Sequence, residues 1–179
     1  KPGITLVFTG DGKGKTSAAL GLMARALGAD KKVAFFQFIK DWSVNEHQFI
    51  KKIQTIYTNE LYFYKGGAGF YKAGKFSSEA SETEHKKNAR QTYDLALKAV
   101  MSGKYDLVIC DEINNAVHDG LLSVDLLKEI IKNRSLKTSL CLTGRNFPDN
   151  LLGLVDIATN MTKLKHHYDD GELALVGID

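Results

Sequence analysis

The chain has 179 residues, 44% hydrophobic and 25% charged, which suits a single globular domain over residues 1–179 with one sizeable core. Lys and Arg number 24 against 21 Asp and Glu, and the net charge of +3 is too small to argue for a nucleic-acid or membrane partner, though it suits an anionic small ligand. No apolar run approaches the ~20 residues that span a bilayer, and no signal-peptide pattern opens the chain; it starts at Lys1, with residues expected to precede it.

The first element, ITLVFT at residues 4–9, reads as a strand buried on both faces. Residues 16–27 place Ala, Leu and Met at helical spacing, with Gly28 as the stop. KVAFFQF (residues 32–38) is a second strand, and residues 41–76 are the least regular part, expected as loops. A long polar-to-amphipathic helix is predicted over residues 78–101, ending at Gly103. YDLVICDE (105–112) and TSLCLTG (138–144) are strands, and between them Ser123 caps a helix running to about Asn133. HHYDDGELALVGI, near the C-terminus, reads as a hairpin around Asp170-Gly171. Alternating strands and helices predict an α/β fold with a mostly parallel central sheet flanked by helices, and with ligands at the carboxyl ends of the strands. Cys110 and Cys141 sit in apolar runs and are expected as reduced, buried thiols, which points to a reducing cytoplasm.

The stretch FTGDGKGKTSAALG joins the first strand to the first helix through a glycine-rich turn and Lys-Thr. That context marks a phosphate-binding loop, whose glycines let backbone N–H groups curl toward an anion at the positive end of a helix. Lys15 reaches phosphate oxygens as a point charge, and Thr16 offers its hydroxyl to Mg²⁺. The usual pattern has glycine where Thr9 stands; Gly10 comes one residue late and Gly12 is additional. Asp111-Glu112 ends a buried strand, where a carboxylate holds Mg²⁺ beside such a loop. Glu112 is open to three roles: polarising a water, supporting the metal, or bonding locally.

The segments TGDGKGKTSAALGLMARALG, VAFFQFIK, YDLVICDEINNAV, LTGR and KHHYDDGELALVGID together resemble the bacterial ATP:corrinoid adenosyltransferase family. The resemblance runs from the first strand to the last residue. It implies a P-loop NTPase-like (RecA-like) fold with a C-terminal hairpin. It also implies an activity, that of a cob(I)yrinic acid a,c-diamide adenosyltransferase. Such enzymes transfer the 5′-deoxyadenosyl group of ATP to the Co(I) of a reduced corrinoid, forming adenosylcobalamin or its precursor and releasing triphosphate. Co(I) is itself the nucleophile, so the protein binds the leaving triphosphate and aims the ribose 5′-carbon.

On this resemblance the catalytic residues are Lys15, Asp111 and Glu112, with Thr16 and Asp111 on the Mg²⁺ (or Mn²⁺) side. ATP is held by Thr9, Gly10, Asp11, Gly12, Lys13, Gly14, Lys15, Thr16, Ser17, Gln37 and Arg145. Lys40 completes the family's QFIK block; Gln37, Lys40 and Glu46 read equally as solvated loop residues, Arg145 as the partner of a neighbouring carboxylate, and Lys165-His166 either borders the nucleotide or is a surface pair. Trp42, Glu46, Phe70 and Tyr71 are the corrinoid contacts. The family carries a Gly-Phe-x-Trp segment before its long helix; here GAGFYKAG keeps Phe70 but places Lys72 where the tryptophan stands, leaving Tyr71 as a substitute flat surface. A flavin-type reductant or flavodoxin and a homodimer are further implications, with no nucleic acid and no membrane. The alternatives are another P-loop ATPase or kinase, a nucleotide-sensing module, and a nucleic-acid-binding RecA-like ATPase that would use the aromatics and lysines of residues 57–76 for stacking. Those residues also read as a strand followed by a glycine-rich ligand loop, which the low net charge favours.

Overall fold

A computed structural model of the chain describes residues 2–39, 45–69, 80–172 and 174–178. Its elements, in order, are β1 (Thr5–Thr9), α1 (Lys15–Leu27), β2 (Val33–Gln37), α2 (Asn45–Gln54), β3 (Leu61–Lys65), α3 (Glu82–Ser102), β4 (Leu107–Asp111), α4 (Ile113–His118), α5 (Val124–Lys132), β5 (Ser139–Thr143) and β6 (Ile157–Asn160). Two 3-10 helices, Asp149–Leu154 and His167–Asp170, flank β6 in sequence. The strands form one six-stranded sheet in the order β3-β2-β4-β5-β1-β6, and every neighbouring pair is parallel.

The sheet has this form because its central strands are apolar on both faces. β2 and β4 are buried at every position, as strands covered by helices on both sides must be. Successive side chains point to opposite faces. On one face Val33, Phe35, Ile109 and Cys141 pack with Ala19, Met23 and Leu27 of α1 and Ile50 of α2. On the other, Ala34, Phe36, Val108, Cys110 and Leu140 meet Ala89, Tyr93 and Ala96 of α3 and Leu127 and Ile130 of α5.

Four expectations are corrected. β1 is only half-buried at alternate positions, because on one side its neighbour is β6, exposed at all four of its residues. Within the stretch expected as loops, the described residues carry α2 (Asn45–Gln54) and β3 (Leu61–Lys65), the latter being the strand also read within residues 57–76. The long helix starts at Glu82 rather than 78, because Ser81 and Glu84 form a reciprocal capping box. The C-terminal hairpin is absent among the described residues. Asp170-Gly171 instead closes the 3-10 helix His167–Asp170, with Gly171 at φ 83° as its cap. The Gly171 N–H bonds back to Tyr168 O and that of Glu172 to His167 O, so local turns take the donors a ladder would need.

Four strand ends converge at one edge of the sheet. Gln37 pairs with Asp111 in register, and Phe8 with Thr143. β5 lies between β1 and β4. Strands two apart in a sheet stand about 10 Å from each other, and α1 closes that distance by crossing over β5.

Candidate active site

The loop of residues 10–14 turns from β1 into α1. Gly10 adopts φ 100°, and a Cβ there would meet Asn160 Oδ1 at 2.3 Å and Met161 O at 2.5 Å. The loop therefore rests against the chain leaving β6, pinned by the Gly12 N–H to Met161 O at 2.7 Å. The displaced and extra glycines are what this close approach requires. Gly14 caps α1 in the left-handed region without a side-chain bond, and no acidic residue occupies the first turn. The helix thus brings its N–H groups and positive dipole end to the loop. Lys15 folds over the loop, donating from Nζ to Gly10 O at 2.7 Å and Gly12 O at 2.6 Å.

Beside the lysine lies a buried acidic cluster. Asp111 is wholly buried. Thr16 Oγ1 lies 3.1 Å from each of its oxygens, Gln37 Nε2 donates to Oδ2 at 2.9 Å, and Thr143 Oγ1 donates to Oδ1 at 2.5 Å. The Thr143 hydroxyl also accepts the Glu112 N–H at 2.9 Å. Glu112 itself sits at φ 63°, where it caps α4, and its Oε2 lies 3.5 Å from Gln37 Nε2. Gln37 is fully buried, and its Oε1 has no hydrogen-bond partner among the described residues. A carboxylate, a hydroxyl and an amide oxygen with lone pairs to spare form an all-oxygen donor set, the kind a hard divalent ion takes.

Arg145 follows β5 at the same end of the sheet as the loop. Burial, and then the Arg145 guanidinium, hold the Lys15 ammonium below its ordinary pKa, while Asp11, Glu112 and Asp111 pull it upward. Two cations close enough to repel define a place where an anion lowers the energy of both.

The structure thus gathers Lys15, Thr16, Gln37, Asp111, Glu112 and Arg145 at the carboxyl ends of β1, β2, β4 and β5. Asp11 bonds the Lys163 N–H through Oδ1 at 3.4 Å, Lys13 is exposed, and Ser17 is exposed on the first turn of α1. Thr9 turns its hydroxyl to the Phe147 N–H at 3.1 Å. Glu46 lies in the first turn of α2. Lys165 is exposed, and His166 accepts the Tyr168 N–H and stacks on His167. Lys40, Trp42, Phe70, Tyr71 and Lys72 lie outside the described residues. Sequence reasoning missed Thr143, which stands inside the LTGR segment, and the Asn160–Met161 buttress, which follows a strand with no apolar pattern. Both cysteines are unpaired thiols in the core.

Known proteins resemble the chain over nearly its whole length. The family model described as ATP:corrinoid adenosyltransferase BtuR/CobO/CobP matches residues 1–179. A corrinoid adenosyltransferase of Escherichia coli K12 is 30% identical over 99% of this chain and 85% of its own length. One from Pseudomonas aeruginosa is 30% identical over 99% and 83%, and corrinoid adenosyltransferase CobA of Salmonella typhimurium is 31% identical over 99% and 85%. In fold, the flagellar accessory protein FlaH from Methanocaldococcus jannaschii is similar, with a TM-score of 0.56 and 15% identity over 89% of this chain and 71% of that one. With a parallel sheet, a phosphate loop and a full-length match, the chain belongs to the ATP:corrinoid adenosyltransferase family.

Proposed function

We propose that the chain transfers the 5′-deoxyadenosyl group of ATP to the Co(I) of a reduced corrinoid and releases triphosphate. The observation that carries this reading is the meeting of Lys15, the α1 N-terminus and Arg145 at a loop beside buried Asp111, in a chain matched end to end by the family. That match selects adenosyl transfer over the ATPase, kinase, nucleotide-sensor and nucleic-acid alternatives.

The cobalt lone pair bonds to C5′ as the C5′–O bond breaks, and the bonding pair leaves with triphosphate. No side-chain base is needed. The work of the protein is to bind a highly charged leaving group and hold C5′ in line. Lys15 exchanges its two loop carbonyls for phosphate oxygens, the α1 amides accept further charge, and Arg145 donates to the far phosphates with its planar fork. Mg²⁺, or Mn²⁺ in its place, would be held by Thr16 and Asp111 with Gln37 beside them, and would supply positive charge against the departing triphosphate. Thr143 orients the Asp111 carboxylate, and Glu112 supports it rather than activating water. Glu46, Trp42, Phe70 and Tyr71 form the corrinoid side, with Tyr71 supplying the flat surface where Lys72 replaces the family's tryptophan.

Finer parts of the reading are proposed on the family resemblance. The corrinoid is cob(I)yrinic acid a,c-diamide or cobalamin, and a flavin-type reductant or flavodoxin makes Co(I) in a reducing cytoplasm. The chain works as a homodimer. What supports the dimer is the exposed edge strand β6 with the apolar Ile157 on it. Anaerobic incubation with Mg-ATP and chemically reduced cob(I)alamin tests the activity. The cobalt–carbon spectrum should develop with the chain and fail to develop with Lys15→Ala; an equal rate in that variant would remove the loop from the reaction.

A further inference from the structure

Helix α4 carries two asparagines to which the nucleotide and metal assignments give no role. Asn115 Oδ1 accepts the Arg145 N–H at 2.6 Å. Asn114, fully buried, donates from Nδ2 to the Gly144 carbonyl at 3.2 Å. The Gly144 carbonyl and the Arg145 N–H belong to one peptide group, and in a trans peptide they point in opposite directions. Two neighbouring side chains therefore grip one peptide from both sides and fix the rotation of its plane. Gly144 sits at φ 125°, and a Cβ there would meet Asn115 Oδ1 at 2.6 Å and Asn115 N at 2.9 Å. Glycine is what lets α4 come this close. The chain leaves β5 through this peptide, so its plane sets the direction in which Arg145 departs. The same helix is capped by Glu112, directly after Asp111. One short element thus ties the acidic wall of the site to its arginine.

We propose that Asn114 and Asn115 are positioning residues that clamp the Gly144–Arg145 peptide and so aim the Arg145 guanidinium at the polyphosphate in the loop. This rests on the reading that Arg145 takes phosphate. A loose peptide here spreads the guanidinium over several directions, and a bidentate contact then loses its geometry without losing its charge.

The test is a double-mutant cycle on phosphate binding. Calorimetry measures Mg-tripolyphosphate and Mg-ATP on wild type, Asn115→Ala, Arg145→Ala and the double variant, and steady-state assays give the KM for ATP and for the corrinoid. Asn115→Ala should weaken tripolyphosphate about three- to tenfold, the effect of one lost hydrogen bond. It should raise the ATP KM and leave the corrinoid KM in place, a split that general loosening of the fold does not produce. In the Arg145→Ala background the same change should add less than about twofold. If Asn115→Ala fails to fold, Asn115→Ser enters the same cycle. Unchanged tripolyphosphate affinity in Asn115→Ala, or losses that multiply in the double variant, would overturn the clamp while leaving Arg145 its phosphate. An Arg145→Ala variant that binds tripolyphosphate as wild type does would overturn the phosphate role of Arg145, and the clamp with it.

Discussion

The Asp111→Asn substitution removes one charge from the centre of the site with almost no change in shape. The carboxylate is wholly buried and is bonded by Thr16, Gln37 and Thr143. Hydrogen bonds to a charged group contribute about 1.5–3 kcal/mol each, so three donors supply about 4.5–9 kcal/mol. Burying the charge costs several kcal/mol after relaxation, which cancels much of that gain. Asparagine keeps one oxygen for Thr143 and turns its amide toward Gln37. Gln37 can then rotate to present Oε1, which has no hydrogen-bond partner among the described residues. The variant should therefore stay within about 2 kcal/mol of wild type, a melting shift below about 8 °C for a chain of this size. Activity should behave differently, because the metal-side charge is gone. Loss of one preorganised electrostatic contact lowers kcat by at least about 10²-fold. Circular dichroism melts beside the anaerobic adenosylation assay separate the two effects. Activity and several kcal/mol of stability lost together would make Asp111 a structural residue, and retained activity would take it out of the metal site.

Lys15→Ala should weaken Mg-ATP by at least about 10²-fold, because it removes the donor that phosphate inherits from the Gly10 and Gly12 carbonyls; equilibrium binding reads this, and unchanged affinity would contradict it. Gly12→Ala sets a Cβ 2.6 Å from Met161 O and 2.8 Å from Thr162 C, so the loop must lift from the chain after β6. That overpacking should cost about 1–3 kcal/mol in thermal melts and raise the KM for ATP. Burial raises the thiol pKa of both Cys110 and Cys141 above 9.0, so neither should react with a thiol reagent until the chain unfolds. The sign of the pH effect follows: both thiols ionise in the unfolded chain first, so their contribution to stability is complete below pH 9.0 and declines above it, by about 1.4 kcal/mol per pH unit for each thiol. Denaturant titrations at rising pH measure that slope.

What could be read from the sequence depended on how local its cause was. β2 and β4 stood out as unbroken apolar runs because both of their faces are covered. α2 did not, because in a mostly polar segment only His47 and Ile50 are buried. β6 left no hydrophobic trace, since all four of its residues are exposed and backbone pairing to β1 alone makes it a strand. Gly171 misled because a positive-φ glycine ends a helical turn as readily as it makes a hairpin. In the site, Lys15, Thr16 and Asp111 were legible because each lies within a contiguous motif. Thr143, Asn114 and Asn115 act through contacts some thirty residues away in the chain, which no single segment displays.

The account turns on which bond of ATP breaks, and isotopic labelling reads that directly. ATP carrying heavy oxygen in the bridge between C5′ and the α-phosphorus is turned over anaerobically with reduced corrinoid, and the phosphate products are analysed by mass. Attack at C5′ predicts one triphosphate per adenosylcorrinoid, with the label in the triphosphate. ADP and phosphate in place of triphosphate, or label retained on the adenosyl group, would contradict the account.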